Sequence, residues 1–193
     1  MTADPTRRLL GIAVLDEIER ARFDEWANRA ALLEPAPAGV SIPTLFAEQV
    51  ARAPEAVAIR YAGCSLTYAE LDVTSNRLAH LLAAGGAGPG ECVALLFGRC
   101  AEAIVAILAV LKTGAAYLPI DPAHPDDRIS FMLDDAAPLA AVTTDELRAR
   151  LDGSGVSVID IHDPAIAGQP ATALAMPAPD DLAYMTYTSG TTG

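Results

Sequence analysis

Between Cys92 and Ile120 the chain reads as a short run apolar at every position, a longer run apolar almost all round, and a second short run. Cys92 to Phe97 (C-V-A-L-L-F) shows no alternation, which is the pattern of a strand covered on both faces. Ala101 to Lys112 carries Ile104, Val105, Ile107, Leu108, Val110 and Leu111, so the helix it predicts lies against a sheet, with Gly114 closing its C-terminal end. Ala116 to Ile120 gives the next strand, stopped by Pro119 and Pro122. Strand, helix and strand in this order predict a right-handed parallel crossover.

The same alternation continues on both sides. Downstream, Asp126 to Asp135 predicts a helix carrying Ile129, Phe131, Met132 and Leu133. A strand over Leu139 to Thr143, a helix over Glu146 to Leu151 and a strand over Val156 to Ile161 follow. Upstream, Leu45, Phe46 and Val50 sit at helical spacing before Pro54, and a hairpin is expected around Gly63. Glu70 to Ala84 predicts an amphipathic helix with Leu71, Leu78, Leu81 and Leu82 inward and Asp72, Asn76 and Arg77 on its polar face. Gly85 to Gly90 fails the dinucleotide pattern, because Glu91 stands where a third Gly is needed and a strand follows, so the segment reads as a turn. Gly168 to Pro179, rich in Ala and Pro, reads as a surface connection. The fold class expected is α/β, with a largely parallel sheet covered by helices.

Leu182 to Gly193 is L-A-Y-M-T-Y-T-S-G-T-T-G. Its first half predicts a buried strand; its second half, Thr188, Ser189, Gly190, Thr191, Thr192 and Gly193, consists of hydroxyl-bearing residues and Gly. Such a run turns backbone N–H groups toward an anion and adds hydroxyl donors, the chemistry of a phosphate cradle. A solvated tail has the same composition, and the residues alone leave both readings open. No Walker A loop is present, since no G-K-[ST] occurs, and Ser189 is not in a G-x-S-x-G elbow.

Y-T-S-G-T-T-G after an apolar run resembles the signature loop of the adenylate-forming (AMP-binding) enzymes. Leu111 to Pro122 (L-K-T-G-A-A-Y-L-P-I-D-P) resembles a second motif of that superfamily, in the variant found in adenylation domains of nonribosomal peptide synthetases, and Leu66 to Leu71 (L-T-Y-A-E-L) resembles the first. The three occur in the family's order and cover the chain from about Ile42 to Gly193. The resemblance implies an incomplete N-terminal part of the adenylate-forming fold over residues 41–193. It also implies that the parent enzyme activates an amino acid with ATP and Mg²⁺ to an aminoacyl-adenylate, for transfer to a carrier-protein thiol. Thr188, Ser189, Gly190, Thr191, Thr192 and Gly193 would contact the ATP phosphates. The amino-acid pocket and the catalytic lysine would lie downstream, so no catalytic residue and no protein metal ligand is assigned here. The phosphopantetheine would belong to a separate carrier domain. Alternatives are an interaction module completed by a partner, and part of an acyl-CoA or fatty-acyl-AMP ligase, against which the K-T-G-A-A-Y-L-P-I-D-P stretch argues.

Residues 1–40 read as an appendage. Asp16 and Glu19 fit a capping box, and Ile18, Phe23 and Trp26 are the expected contact residues of a helix running to about Ala31. The segment resembles the linker between condensation and adenylation domains, which makes those domains, the carrier domain and the remainder of the adenylation domain the expected partners. With 13 basic against 25 acidic residues the net charge is −12, which disfavours nucleic acid as a partner. His80, His124 and His162 show no metal spacing, and Cys64, Cys92 and Cys100 form no C-x-x-C pair, with Cys92 expected as a buried thiol. D-P-x-x-P-x-x-R from Asp121 to Arg128 is expected to be held by a hydrogen-bonded Asp121–Arg128 pair. No signal peptide or membrane span is read, and a cytoplasmic location is expected.

Overall fold

In the computed structural model, residues 16–26 and 39–188 are described. The chain divides into two units at Gly39/Val40. Of the first, helix α1 (Glu17–Trp26) is described. Its start is the expected capping box: the Glu19 N–H donates to Asp16 Oδ1 (2.7 Å) and the Asp16 N–H to Glu19 Oε2 (3.1 Å). Ile18, Phe23 and Trp26 are exposed on it, with the Phe23 and Trp26 rings edge to face at 5.8 Å. The residues 27–31 expected to extend this helix lie outside the described ones.

The second unit opens with α2 (Ile42–Arg52), N-capped by Ser41, and a hairpin of β1 (Val57–Tyr61) and β2 (Cys64–Thr67). The two residues at its tip, Ala62 and Gly63, both have positive φ (48° and 83°), the geometry that suits a two-residue hairpin turn to the twist of its strands. Helix α3 (Tyr68–Ala84) follows directly, started by a Thr67/Glu70 capping box whose hydrogen bonds hold the Glu70 carboxyl below its ordinary pKa.

Four strands then form one parallel sheet: β3 (Cys92–Leu96), β4 (Ala116–Ile120), β5 (Ala140–Thr143) and β6 (Ser157–Asp160), in the spatial order β4-β3-β5-β6. Between β3 and β4 runs α4 (Ala101–Thr113), ended by Gly114 in the left-handed conformation (φ 83°). Between β4 and β5 runs α5 (Asp126–Ala136). Between β5 and β6 lie α6 (Asp145–Arg148) and a 3-10 turn (Ala149–Leu151); α7 (Pro164–Ala167) comes after β6. The chain thus steps from β3 to one side and returns across it to the other, so the strand order reverses at β3.

The apolar run Cys92–Phe97 is buried throughout, as its lack of alternation predicts. Val93, Leu95 and Phe97 pack with Leu78, Leu82 and Val110 from α3 and α4. Cys92, Ala94 and Leu96 pack with Ile129, Met132 and Leu133 from α5. Two apolar layers therefore sandwich the sheet, and the carboxyl ends of its strands share one rim. The Gly85–Gly90 segment is a turn, as expected.

Two expectations on polar placement fail. Asn76, assigned to the polar face of α3, is only 1% exposed. Its Nδ2 donates to the Ala171 carbonyl (2.8 Å), so the 168–179 connection covers that face and supplies the acceptor that makes burial tolerable. Asp121 and Arg128 do not pair. The Asp121 carboxylate accepts from the Ala123 N–H (2.8 Å), while Arg128 lies over the Phe131 and Tyr187 rings. The cation that holds this loop is Arg150, which donates to Asp126 Oδ1 (2.6 Å) and to the carbonyls of Pro122 (2.8 Å) and His124 (2.7 Å).

Candidate functional site: the segment beside the edge strand

The segment 182–188 runs along the outer edge of β4, parallel to it. The Tyr117 N–H donates to the Ala183 carbonyl (3.1 Å) and the Met185 N–H donates to the Tyr117 carbonyl (3.0 Å), making one bridge between Tyr117 and Tyr184. The sequence predicts a buried strand here; the structure shows one bridge with Leu182 and Tyr184 exposed. The reason lies in β4. A parallel ladder continued by two residues would need the N–H of residue 119, and Pro119 has none. Pro119 is exposed, while its neighbours Leu118 and Ile120 are buried.

Side chains do what the ladder does not. On one face the Tyr184 ring rests against Tyr117, with centroids 5.6 Å apart, and burial pushes the Tyr117 phenol up. On the opposite face Met185 and Tyr187 pack against the apolar layer of α5. The Tyr187 hydroxyl donates to Asp135 Oδ2 at 2.5 Å. Its ring meets the Phe131 ring edge to face at 6.1 Å, and the Arg128 guanidinium lies 5.2 Å from the Phe131 centroid and 5.5 Å from that of Tyr187. Burial, then the hydrogen bond and charge of Asp135, push the Tyr187 phenol up to about 12, with Arg128 opposing. Arg128, Phe131 and Asp135 stand at i, i+3 and i+7 on α5, one face of a helix. That spacing was the available signal in the sequence for a docking stripe.

Of the residues expected to contact phosphate, Thr188 is described and exposed; Ser189, Gly190, Thr191, Thr192 and Gly193 lie outside the described residues. Thr188 therefore begins the hydroxyl-and-Gly run directly after the Tyr187 anchor.

A cavity of about 320 Å³ opens at the carboxyl ends of β3 and β4, lined by Phe97, Arg99, Ile107, Asp121 and His124 among others. This is the rim at which open α/β sheets place ligands. On the opposite side of α4, Lys112 is 8% exposed and donates to Asp72 Oδ1, Ser75 Oγ and Asn76 Oδ1, each at 2.7 Å. Burial pulls its pKa down, with the Asp72 carboxylate opposing. Sequence reasoning passed over this network, although a Lys ending an otherwise apolar helix was its signal. Among the described residues no three His, Cys, Asp or Glu side chains converge on one point. All three cysteines are free thiols, and burial pushes Cys92 up to about 11, which keeps it protonated at neutral pH. No described helix is long and apolar enough to cross a membrane.

Comparison with known proteins places this geometry. A profile described as AMP-binding enzyme matches residues 46–193. The isonitrile lipopeptide synthase of Mycobacterium tuberculosis is 61% identical over 193 residues, 100% of this chain and 8% of that protein. One component of the linear gramicidin synthase of Brevibacillus parabrevis is 40% identical over 195 residues, 100% of this chain and 2% of that protein. Among solved structures, the nonribosomal peptide synthetase FmoA3 in its AMPPNP-bound form matches with a TM-score of 0.81 at 33% identity, covering 90% of this chain and 18% of that one. Its α-methyl-L-serine-AMP-bound form matches with a TM-score of 0.74 at 34% identity, covering 80% of this chain and 18% of that one.

Proposed function

The chain belongs to the AMP-binding enzyme family, and from that premise we propose that it forms the first part of a peptide-synthetase adenylation domain and contributes the ATP-phosphate loop to amino-acid activation. The observation that carries this is that the hydroxyl-and-Gly run begins, at Thr188, directly after a segment docked on the edge of a doubly wound parallel sheet. Amides and hydroxyls of Thr188, Ser189, Gly190, Thr191, Thr192 and Gly193 donate to the triphosphate while the carboxylate of the substrate attacks the α-phosphate, breaking its bond to the bridging oxygen so that pyrophosphate leaves and the acyl-adenylate forms. Fixed donors matter because the attack builds negative charge on phosphoryl oxygens, and pre-aimed N–H and O–H groups need no reorganisation to meet it. Mg²⁺, when bound, neutralises part of that charge; it has no ligand set of clustered acidic, His or Cys groups among the described residues. A chain of net charge −12 gains nothing from its overall field in holding ATP, which leaves the work to these local donors.

The relatives reported above are peptide synthetases, which favours an amino acid over a fatty acid as the carboxylate. The chain spans under a tenth of either curated relative, so catalysis belongs to the assembled domain, together with its carrier domain and that carrier's phosphopantetheine thiol. The exposed Ile18, Phe23 and Trp26 of α1 suit a linker helix between a condensation domain and this one. Free thiols suit the cytoplasm.

The test is amino-acid-dependent ATP–pyrophosphate exchange. The isolated chain is expected to give none, and mixing it with the downstream part of an adenylation domain is expected to restore it. In a complete domain carrying these residues, Thr191→Ala with Thr192→Ala is expected to lower exchange by about 100-fold, the scale of losing preorganised donors. Undiminished exchange in that variant overturns the phosphate assignment.

A further inference from the structure

We propose that Arg128, Phe131 and Asp135 of α5 form a clamp on Tyr187 that fixes where the hydroxyl-and-glycine run leaves the sheet and thereby sets its hold on the ATP phosphates. This rests on reading that run as the phosphate loop.

The argument begins with what the backbone lacks. Pro119 withholds the donor that would carry the ladder past Met185, so the last backbone bond shown between this segment and β4 is two residues short of Tyr187. Thr188 follows Tyr187 immediately, which makes the Tyr187 side chain the last anchor before the run. That anchor has three independent parts. The hydroxyl meets a carboxylate at 2.5 Å, the ring meets Phe131 edge to face, and the guanidinium of Arg128 lies over both rings. A charge-assisted hydrogen bond fixes the outer end of the ring while the aromatic and cation contacts fix its plane. Asp135 and Arg128 also stand on a helix whose other face, at Ile129, Met132 and Leu133, is buried in the core. The clamp is therefore tied to a helix packed into the core. A donor displaced by an ångström loses much of its effect on a developing charge, so the position of the origin is worth affinity. Tyr187 is a positioning residue in this reading, acting through Thr188 and the residues after it.

Hydrogen–deuterium exchange on the 193-residue chain tests the clamp without reference to ATP. In Tyr187→Phe, which keeps the ring and removes the hydroxyl, exchange over 182–193 is expected to quicken about threefold to tenfold, the scale of one lost hydrogen bond. Peptides from β3 and α4 should be unchanged. Equal rates in 182–193 overturn the clamp. In a complete adenylation domain carrying these residues, the same variant is expected to raise KM for ATP about threefold to tenfold with KM for the amino acid unchanged. Asp135→Asn, which keeps an acceptor oxygen, should fall between wild type and Asp135→Ala. A lower Tm with unchanged KM for ATP shows a merely structural contact and overturns the proposal. Undiminished exchange activity after the Thr191 and Thr192 substitutions overturns the loop reading itself, and does so whatever the amide rates show.

Discussion

β3 and the segment 182–187 read alike in the sequence, as short apolar runs, and the structure treats them in opposite ways. β3 is in register with β4 from Cys92 to Leu96 and with β5 from Val93 to Leu96, and every residue of it is buried. The 182–187 segment has one bridge, exposed alternate residues and side-chain anchors at Tyr184 and Tyr187. What separates them is the neighbour rather than the run itself: β3 lies between two strands able to donate and accept, whereas the outer side of β4 carries Pro119. Backbone pairing is concentrated in the first region, whereas the second, from which the candidate chemistry follows, is held by side-chain anchors.

The sharpest break of this contrast is Leu118→Ala. Leu118 is fully buried beside the α5 layer, and its truncation is expected to cost about 3 kcal/mol of global stability, read by urea unfolding. A loss below about 1 kcal/mol contradicts the rigid half of the comparison. Next comes Asp72→Ala, which removes the carboxylate and leaves the buried Lys112 ammonium with its Ser75 and Asn76 acceptors and the longer bond to the residue 72 carbonyl (3.3 Å). A cost of about 2 kcal/mol is expected, below the usual figure for a fully buried pair because Asp72 is 27% exposed. Thermal melts at neutral pH decide it, and no change in Tm shows that the network is idle.

Two smaller effects sharpen the other half. Pro119→Val restores an edge N–H, so amide exchange over 185–187 is expected to slow severalfold, for a gain of about 0.5 kcal/mol; unchanged exchange contradicts the reason given for the single bridge. The smallest effect is alkaline. Because the Tyr187 phenol is raised in the folded chain, its contribution is complete below the ordinary tyrosine value near 10 and is lost as pH rises through about 12. The Tm difference between wild type and Tyr187→Phe should therefore close between those limits, and a difference that widens there reverses the sign.

Much of the sheet was legible from periodicity alone, because continuous apolar runs at Cys92–Phe97 and Ala103–Leu111 leave few other folds open. The hairpin and the first capping box were legible from local chemistry at Gly63 and at Asp16 and Glu19, whereas the Thr67/Glu70 box was passed over. Asn76 and Lys112 were not, since their burial depends on each other and on carbonyls far along the chain. Arg128 was misassigned for a related reason. Its partners are rings, one of them in Tyr187, and a charge-pair search along D-P-x-x-P-x-x-R has no way to find them. At the candidate site the residue types were legible and their mode of support was not; the missing donor of one proline decides it.

That proline carries a consequence for crowded assemblies of such enzymes. Any foreign strand sliding into the margin of β4 would find the first rung and then no second, so this edge of the sheet is a poor template along which copies could stack. The same absence that leaves the 182–188 ribbon with a single backbone bridge also denies neighbouring molecules a seam at that margin.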